Sequence, residues 1–197
     1  MTYEEFYKEQ YPVLLKAEEQ LKNLITQFET NENKKKIAYC SSRIKSPESM
    51  KQKLLKKGEE PNAENAVSKV NDAVGVRVIT SFVDDIYKVA DLIEKQQDIH
   101  ILKIKDYVQQ PKKSGYQSLH LIVEVPVTYL DKTTAVRVEI QIRSVAMDYW
   151  AELDSQMCYK KDAGQLEAVE KATKQYADVI AGVDKKMLEL RKKIQKM

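Results

Sequence analysis

The sequence predicts an α/β fold of the α+β kind, with a mixed sheet of four to five strands flanked by helices. Three observations predict it: apolar residues recur at helical spacing at both ends of the chain, β-branched runs fill the middle, and turn signals divide those runs. The first thirty residues read as helix, with Leu14, Leu21, Leu24, Ile25 and Phe28 on one stripe and Pro12 starting or breaking a segment. A polar loop, Asn31 to Lys36, follows. Ser46-Pro47-Glu48 then gives an N-cap with proline at the first helical position, opening a helix that runs to the glycine stop at Gly58. Val74 to Phe82 is a strand, and Ile86, Val89 and Ile93 mark the helix after it. Ile99 to Val108, Gln117 to Val127 and Thr134 to Arg143 are three more strands, divided by Lys113-Ser114-Gly115 and Leu130-Asp131-Lys132. The last two are expected to pair antiparallel. Ser144 to Met157 is helical. A long helix follows with Leu166, Val169, Ala172, Tyr176, Val179, Val183, Met187, Leu190 and Ile194 at spacings of three and four. Its apolar stripe either packs on its own domain or invites a partner.

Length and composition narrow the functional classes. The 197 residues, 43% of them apolar, suit one domain over 1–197, divided into an N-terminal helical segment (1–30), a central core (43–160) and a C-terminal helix (165–197). A net charge of +3 is too small to argue nucleic-acid binding from bulk charge. Two distant cysteines, Cys40 and Cys158, and no apolar leader point to a reducing cytoplasm rather than a disulfide framework. No apolar run approaches the roughly 18 residues needed to span a bilayer, so a soluble protein without membrane partners is expected. Only two histidines, His100 and His120, are present, so an expected metal is a hard, oxygen-bound one.

Chemistry concentrates in a few places. The run Val136 to Arg143 alternates strictly, with Val136, Val138, Ile140 and Ile142 on one face and Arg137, Glu139, Gln141 and Arg143 on the other. Such a charged face is either solvated or functional. The neighbouring strand also offers a polar face, through Ser118 and His120, which favours a site. Arg43, Lys45, Ser49 and Lys53 read as an anion cradle at the start of one helix, where backbone N–H groups also favour phosphates. With five glycines and no phosphate-binding glycine loop, side chains must hold the phosphates. Asp72, at the edge of a strand, is either a turn residue or a Mg²⁺ ligand, with Glu139 as its natural partner.

In order and at similar spacing, Arg43-Ile44-Lys45-Ser46-Pro47-Glu48-Ser49, Asp72-Ala73-Val74-Gly75-Val76-Arg77, Ser114-Gly115-Tyr116-Gln117-Ser118-Leu119-His120 and Val138-Glu139-Ile140-Gln141-Ile142-Arg143 resemble the RelA/SpoT synthetase domain, most closely that of the small alarmone synthetases. The resemblance covers about Arg43 to Lys160, the expected catalytic core. It implies a nucleotidyltransferase-like fold, Mg²⁺ as cofactor, and transfer of pyrophosphate from ATP to the 3′-hydroxyl of GDP or GTP, releasing AMP. It implies that Asp72 and Glu139 are the metal ligands and catalytic pair, with Glu139 also taking the hydroxyl proton. Arg43 and Arg77 would clamp the adenine, and Lys45, Ser49 and Lys53 would hold the ATP phosphates. Tyr116 would stack on guanine, with Lys112, Lys113 and His120 at the acceptor phosphates. Lys105, Gln141 and Asp148 complete the expected acceptor set.

Two positions depart from the family pattern: Asp154-Ser155 replaces the usual Glu-His after Trp150, and Asp148 replaces an Asn. A carboxylate still accepts from both guanine N1–H and the 2-amino group. Of the 71 residues before Asp72 none is histidine, so the His-Asp hydrolase of the bifunctional members is not expected. The family's small members are commonly homotetramers, which the C-terminal stripe would suit. Two alternatives lie outside guanosine chemistry. A toxin-like relative would pyrophosphorylate an adenosine nucleotide or a tRNA 3′ end, the latter kept open by Lys34-Lys35-Lys36. A non-enzymatic RNA-binding module would use the basic clusters. True nucleotidyl transfer lacks its Gly-Ser and Asp-x-Asp pairs here.

Overall fold

A computed structural model of the protein describes the backbone of residues 1–30, 36–158 and 163–197, with side chains at 1–28, 36–157, 169 and 171–197. Most of the expected Asn31–Lys36 loop, Lys34, Lys35, and the side chains of Cys158 and Leu166 lie outside the described residues. Helix α1 (Tyr3–Tyr7) starts with a capping box between Thr2 and Glu5. A short 3₁₀ turn (Lys8–Gln10) leads into α2 (Tyr11–Thr30), so Pro12 sits in the first turn of α2, where its missing N–H costs nothing. Leu14, Leu21 and Ile25 of α2 are buried against the sheet.

The sheet holds β1 (Ile37–Ile44), β2 (Val74–Thr80), β3 (His100–Asp106), β4 (Leu119–Tyr129) and β5 (Lys132–Ser144) in the order β1-β2-β5-β4-β3. Only β2 and β5 run parallel, so the sheet is mixed as expected. The two-residue loop joining β4 to β5 places Leu130 and Asp131 at φ +46° and +60°, the left-handed pair that suits the twist of a hairpin. Strand β1 was not expected. Its burial alternates weakly because it is an edge strand, and its centre, Ala38 to Arg43, is largely polar or exposed, so no apolar period marks it. Helix α4 (Ala63–Ser68) was also unforeseen, although the side chain of Asn62 caps it.

Helix α3 (Pro47–Lys56) is capped by Ser46 and ends two residues before Gly58. There Gly58 N–H donates to Leu55 O and Glu59 N–H to Leu54 O, with Gly58 at φ +74° in the left-handed cap that glycine accepts without strain. Helix α5 (Val83–Glu94) follows β2. Val74, Val76, Val78, Val138, Ile140, Ile142 and Leu121 turn one sheet face into the core against α2 and α5. Burying each such side chain contributes about 1.5–3 kcal/mol.

Helix α6 (Val145–Cys158) starts directly from β5, and α7 (Ala163–Ile194) packs on α6 and α5. The face that α7 turns inward is largely small or polar, with Thr173, Ala177 and Asp184 buried. Arg191 pins its last turn by donating to Asp84 and Asp85 at 2.6 and 2.7 Å while lying over the Phe82 ring. Tyr176, Val179, Val183, Met187, Leu190 and Ile194 point to solvent. The helix does pack on its own domain, as one of the two readings has it, but through a different face, and this stripe stays exposed. Among the described residues no helix is long and apolar enough to cross a membrane.

Candidate active site

The polar face of the sheet is organised in rows. Ser41, Arg77, Gln141, His120 and Lys105 stand side by side across all five strands, and Arg43, Gly75 and Glu139 form the next row. Three residues expected in the site from three different motifs, Arg77, His120 and Gln141, thus share one row with Lys105, which was also expected there. Their period-two spacing in β2, β4 and β5 is what aims them to one side while the intervening valines and isoleucines fill the core.

One end of this face is a solvent-open cleft of about 590 Å³ lined by Arg43, Lys45, Asp72, Arg77, Glu139 and Gln141. Lys45 and Lys53 both donate to Asp72 Oδ2, at 2.9 and 2.7 Å. Burial raises the Asp72 pKa and the two ammonium groups lower it; the lysines win, so Asp72 is held ionised below its ordinary range. Asp72 Oδ1 is buried and has no hydrogen-bond partner. An orphaned carboxylate oxygen on a residue that lines a cationic cleft fits a Mg²⁺ ligand, and Glu139 in the same cleft is the second carboxylate. Among the described residues no third acidic, histidine or cysteine ligand joins them, which suits a metal completed by water and phosphate oxygens. The structure corrects the expectation that Arg43, Lys45, Ser49 and Lys53 share one helix start. Arg43 belongs to β1 and Lys45 to the link after it, and only Ser49 and Lys53 lie on α3. The cradle is therefore built from a strand end and a helix. Ser49 Oγ is engaged with Ser46 Oγ at 2.9 Å.

The other end is aromatic. The rings of Tyr107, Tyr116 and His120 meet edge to face, and the Lys112 ammonium lies 4.9 and 4.7 Å from the Tyr107 and Tyr116 ring centres. Lys113 is exposed on the same loop. Gly115 closes that loop against α7 at φ +93°, where an added Cβ would lie 2.4 Å from Ala177 Cβ. Lys105 is half-buried on β3 opposite His120. Asp148, on α6, accepts from Arg143 Nη1 at 3.1 Å and from the Tyr39 hydroxyl, with Arg77 Nη1 3.6 Å away. Burial and the Asp148 hydrogen bond push the Tyr39 phenol up to about 12.

Glu139 lies between the two ends. Oε2 accepts from Gln141 Nε2 at 2.8 Å, and Oε1 is 3.4 Å from His120 Nδ1. Burial raises its pKa, but those hydrogen bonds and the charge of Lys53 outweigh burial and hold it at about 2. Sequence reasoning gave no role to Arg143, Tyr107, Tyr39, Ser41 or Ser42. Arg143 was visible in the alternating strand; Tyr39, Ser41 and Ser42 were hidden with β1.

The profile described as "Region found in RelA / SpoT proteins" matches residues 42–164. The chain is 40% identical over 158 residues to the GTP pyrophosphokinase YwaC of Bacillus subtilis, covering 80% of this chain and 75% of that one. Its fold matches the crystal structure of small alarmone synthetase 2 from Bacillus subtilis with a TM-score of 0.85 at 37% identity, covering 95% and 98% of the two chains. It also matches small alarmone synthetase 1 of the same organism bound to its product pppGpp, with a TM-score of 0.85 at 27% identity over 94% and 96%. Motif order, sheet topology and these likenesses agree, and the chain belongs to the RelA/SpoT family.

Proposed function

We infer that this protein is a GTP/GDP diphosphokinase that makes (p)ppGpp by moving the β,γ-pyrophosphoryl group of ATP to the 3′-oxygen of GDP or GTP. The observation that carries this is the placement of Glu139 between a cationic, carboxylate-bearing cleft, which it lines, and an aromatic, lysine-topped cluster. Arg43 and Arg77 are proposed to hold the adenine as flat guanidinium groups, and Lys45, Lys53 and Ser49 the triphosphate. Tyr116 takes the guanine ring, with Lys112, Lys113, His120 and Lys105 toward the acceptor phosphates and Gln141 beneath it. Asp148 joins guanine recognition only by exchanging its Tyr39 partner for the base. When bound at Asp72 and Glu139, Mg²⁺ supplies charge neutralisation on the transferred phosphates. The 3′-oxygen forms its bond to the β-phosphorus, and the bond from that phosphorus to the α–β bridging oxygen breaks, with AMP keeping the electron pair. The hydroxyl proton goes to a Glu139 oxygen. A carboxyl group near 2 is a weak base, so proton transfer accompanies bond formation rather than preceding it. Catalysis is then chiefly positioning and charge stabilisation.

The exposed stripe of α7 supports assembly with further copies, a tetramer being the proposal; a monomer in sedimentation at micromolar concentration would remove it. Cytoplasmic residence is part of the same reading. The functional test is incubation with γ-labelled ATP, Mg²⁺ and, separately, GMP, GDP, GTP, ADP or deacylated tRNA. Label on guanosine nucleotides is expected. Label on ADP or tRNA alone would move the chain to an adenosine acceptor.

A further inference from the structure

A ring of polar contacts, four hydrogen bonds and one 3.4 Å His120–Glu139 contact, joins the two halves of the site. Arg143 Nη2 donates to the Tyr116 hydroxyl oxygen at 2.6 Å and to Gln141 Oε1 at 2.8 Å. Gln141 Nε2 donates to Glu139 Oε2 at 2.8 Å, while Tyr116 Oη and His120 Nε2 are 2.8 Å apart and His120 Nδ1 reaches Glu139 Oε1 at 3.4 Å. The carboxylate accepts only, so in neutral His120 the proton that faces it sits on Nδ1, Nε2 is an acceptor and the Tyr116 hydroxyl donates to it. Both branches run donor to acceptor from the Arg143 cation to the Glu139 anion.

We propose that Arg143 is a positioning residue that sets the Tyr116 ring and the Glu139 carboxylate in one register, so that seating the acceptor base also orients the group that takes its proton. This rests on the diphosphokinase reading above. One observation separates it from ordinary packing. Arg143 is 4% exposed, and its cation also lies 5.0 Å from the Tyr116 ring centre, so one buried side chain holds both the hydroxyl and the face of the proposed guanine platform. Asp148, accepting from Nη1, supplies the counter-charge that keeps the guanidinium there.

Tyr116→Phe keeps the stacking ring and removes only the hydroxyl link. Steady-state kinetics with GDP as varied substrate should then show kcat down about tenfold with KM within twofold of wild type. Arg143→Met should lower kcat at least as far, and the double variant no further than the larger single effect, because both cut one ring. A Tyr116→Phe enzyme with wild-type kcat would overturn the proposal, as would additive losses in the double variant. Nitrogen NMR of His120 in the wild-type protein reads the ring without any turnover: the Nδ1–H tautomer is expected and an Nε2–H tautomer would overturn it. An inactive wild type with the expected tautomer would count against the diphosphokinase reading and leave the ring in place.

Discussion

The two ends of the cleft hold their side chains by different means. At the proposed donor end, Lys45 and Lys53 converge on a single oxygen of Asp72, and Arg43 is exposed. At the acceptor end, the buried Arg143, His120 and Asp148 sit in a network whose members each have two or more partners. Long cations in partial solvent suit a flexible, highly charged ligand, and Asp72 neutralises these two lysines. A ring platform must instead be rigid, because stacking discriminates by geometry. Glu139 touches both regimes, through Gln141 and His120 on one side and the Lys53 charge on the other, and Arg77 approaches Asp148 across the same divide at 3.6 Å.

Breaking the shared residue should do most. Glu139→Gln is expected to lower kcat by about a thousandfold with little change in fold, read by product formation and circular dichroism. At the donor end, Asp72→Asn should cost about a hundredfold and raise the Mg²⁺ concentration needed for half-maximal rate, since the orphaned Oδ1 becomes a poorer ligand. At the acceptor end, Gly115→Ala should raise KM for GDP more than KM for ATP, because a Cβ at that left-handed position strikes Ala177 and displaces the Tyr116 loop. Equal rises in both would blur the division between the ends. Acid stability gives the smallest effect. Glu139 is lowered from 4.5 to about 2, so its contribution, on the order of 3 kcal/mol, is present above the unfolded value and lost as pH falls toward about 2. Urea unfolding of wild type between pH 5 and pH 3 should show that slope, and Glu139→Gln should flatten it.

What the sequence disclosed follows the same division. Strands β2, β4 and β5 each bury a full apolar face, so their periods are plain and the residues between them could be assigned to one polar face. The edge strand β1 buries little, which hid it and detached Arg43 from its true place opposite Gly75. Asp72 and Glu139 were legible as candidates because they stand beside recognisable strands. The role of Arg143 was not, since its partners Tyr116, Gln141 and Asp148 come together only through the β4–β5 pairing and the start of α6. The stripe on α7 was legible as a stripe, but its direction was not. Periodicity places residues on a face without saying which face packs; here Arg191, Asp184 and Ala177 decide it.

The central claim is that the two ends meet at Glu139 to transfer a pyrophosphoryl group, and the fate of two labels tests it most directly. Wild-type protein given GDP and Mg²⁺ with α-labelled or γ-labelled ATP should release the α label as AMP and carry the γ label into the guanosine product. Glu139→Gln should do neither. An α label appearing in the guanosine product, or γ label released as inorganic phosphate with GDP unchanged, would contradict the account.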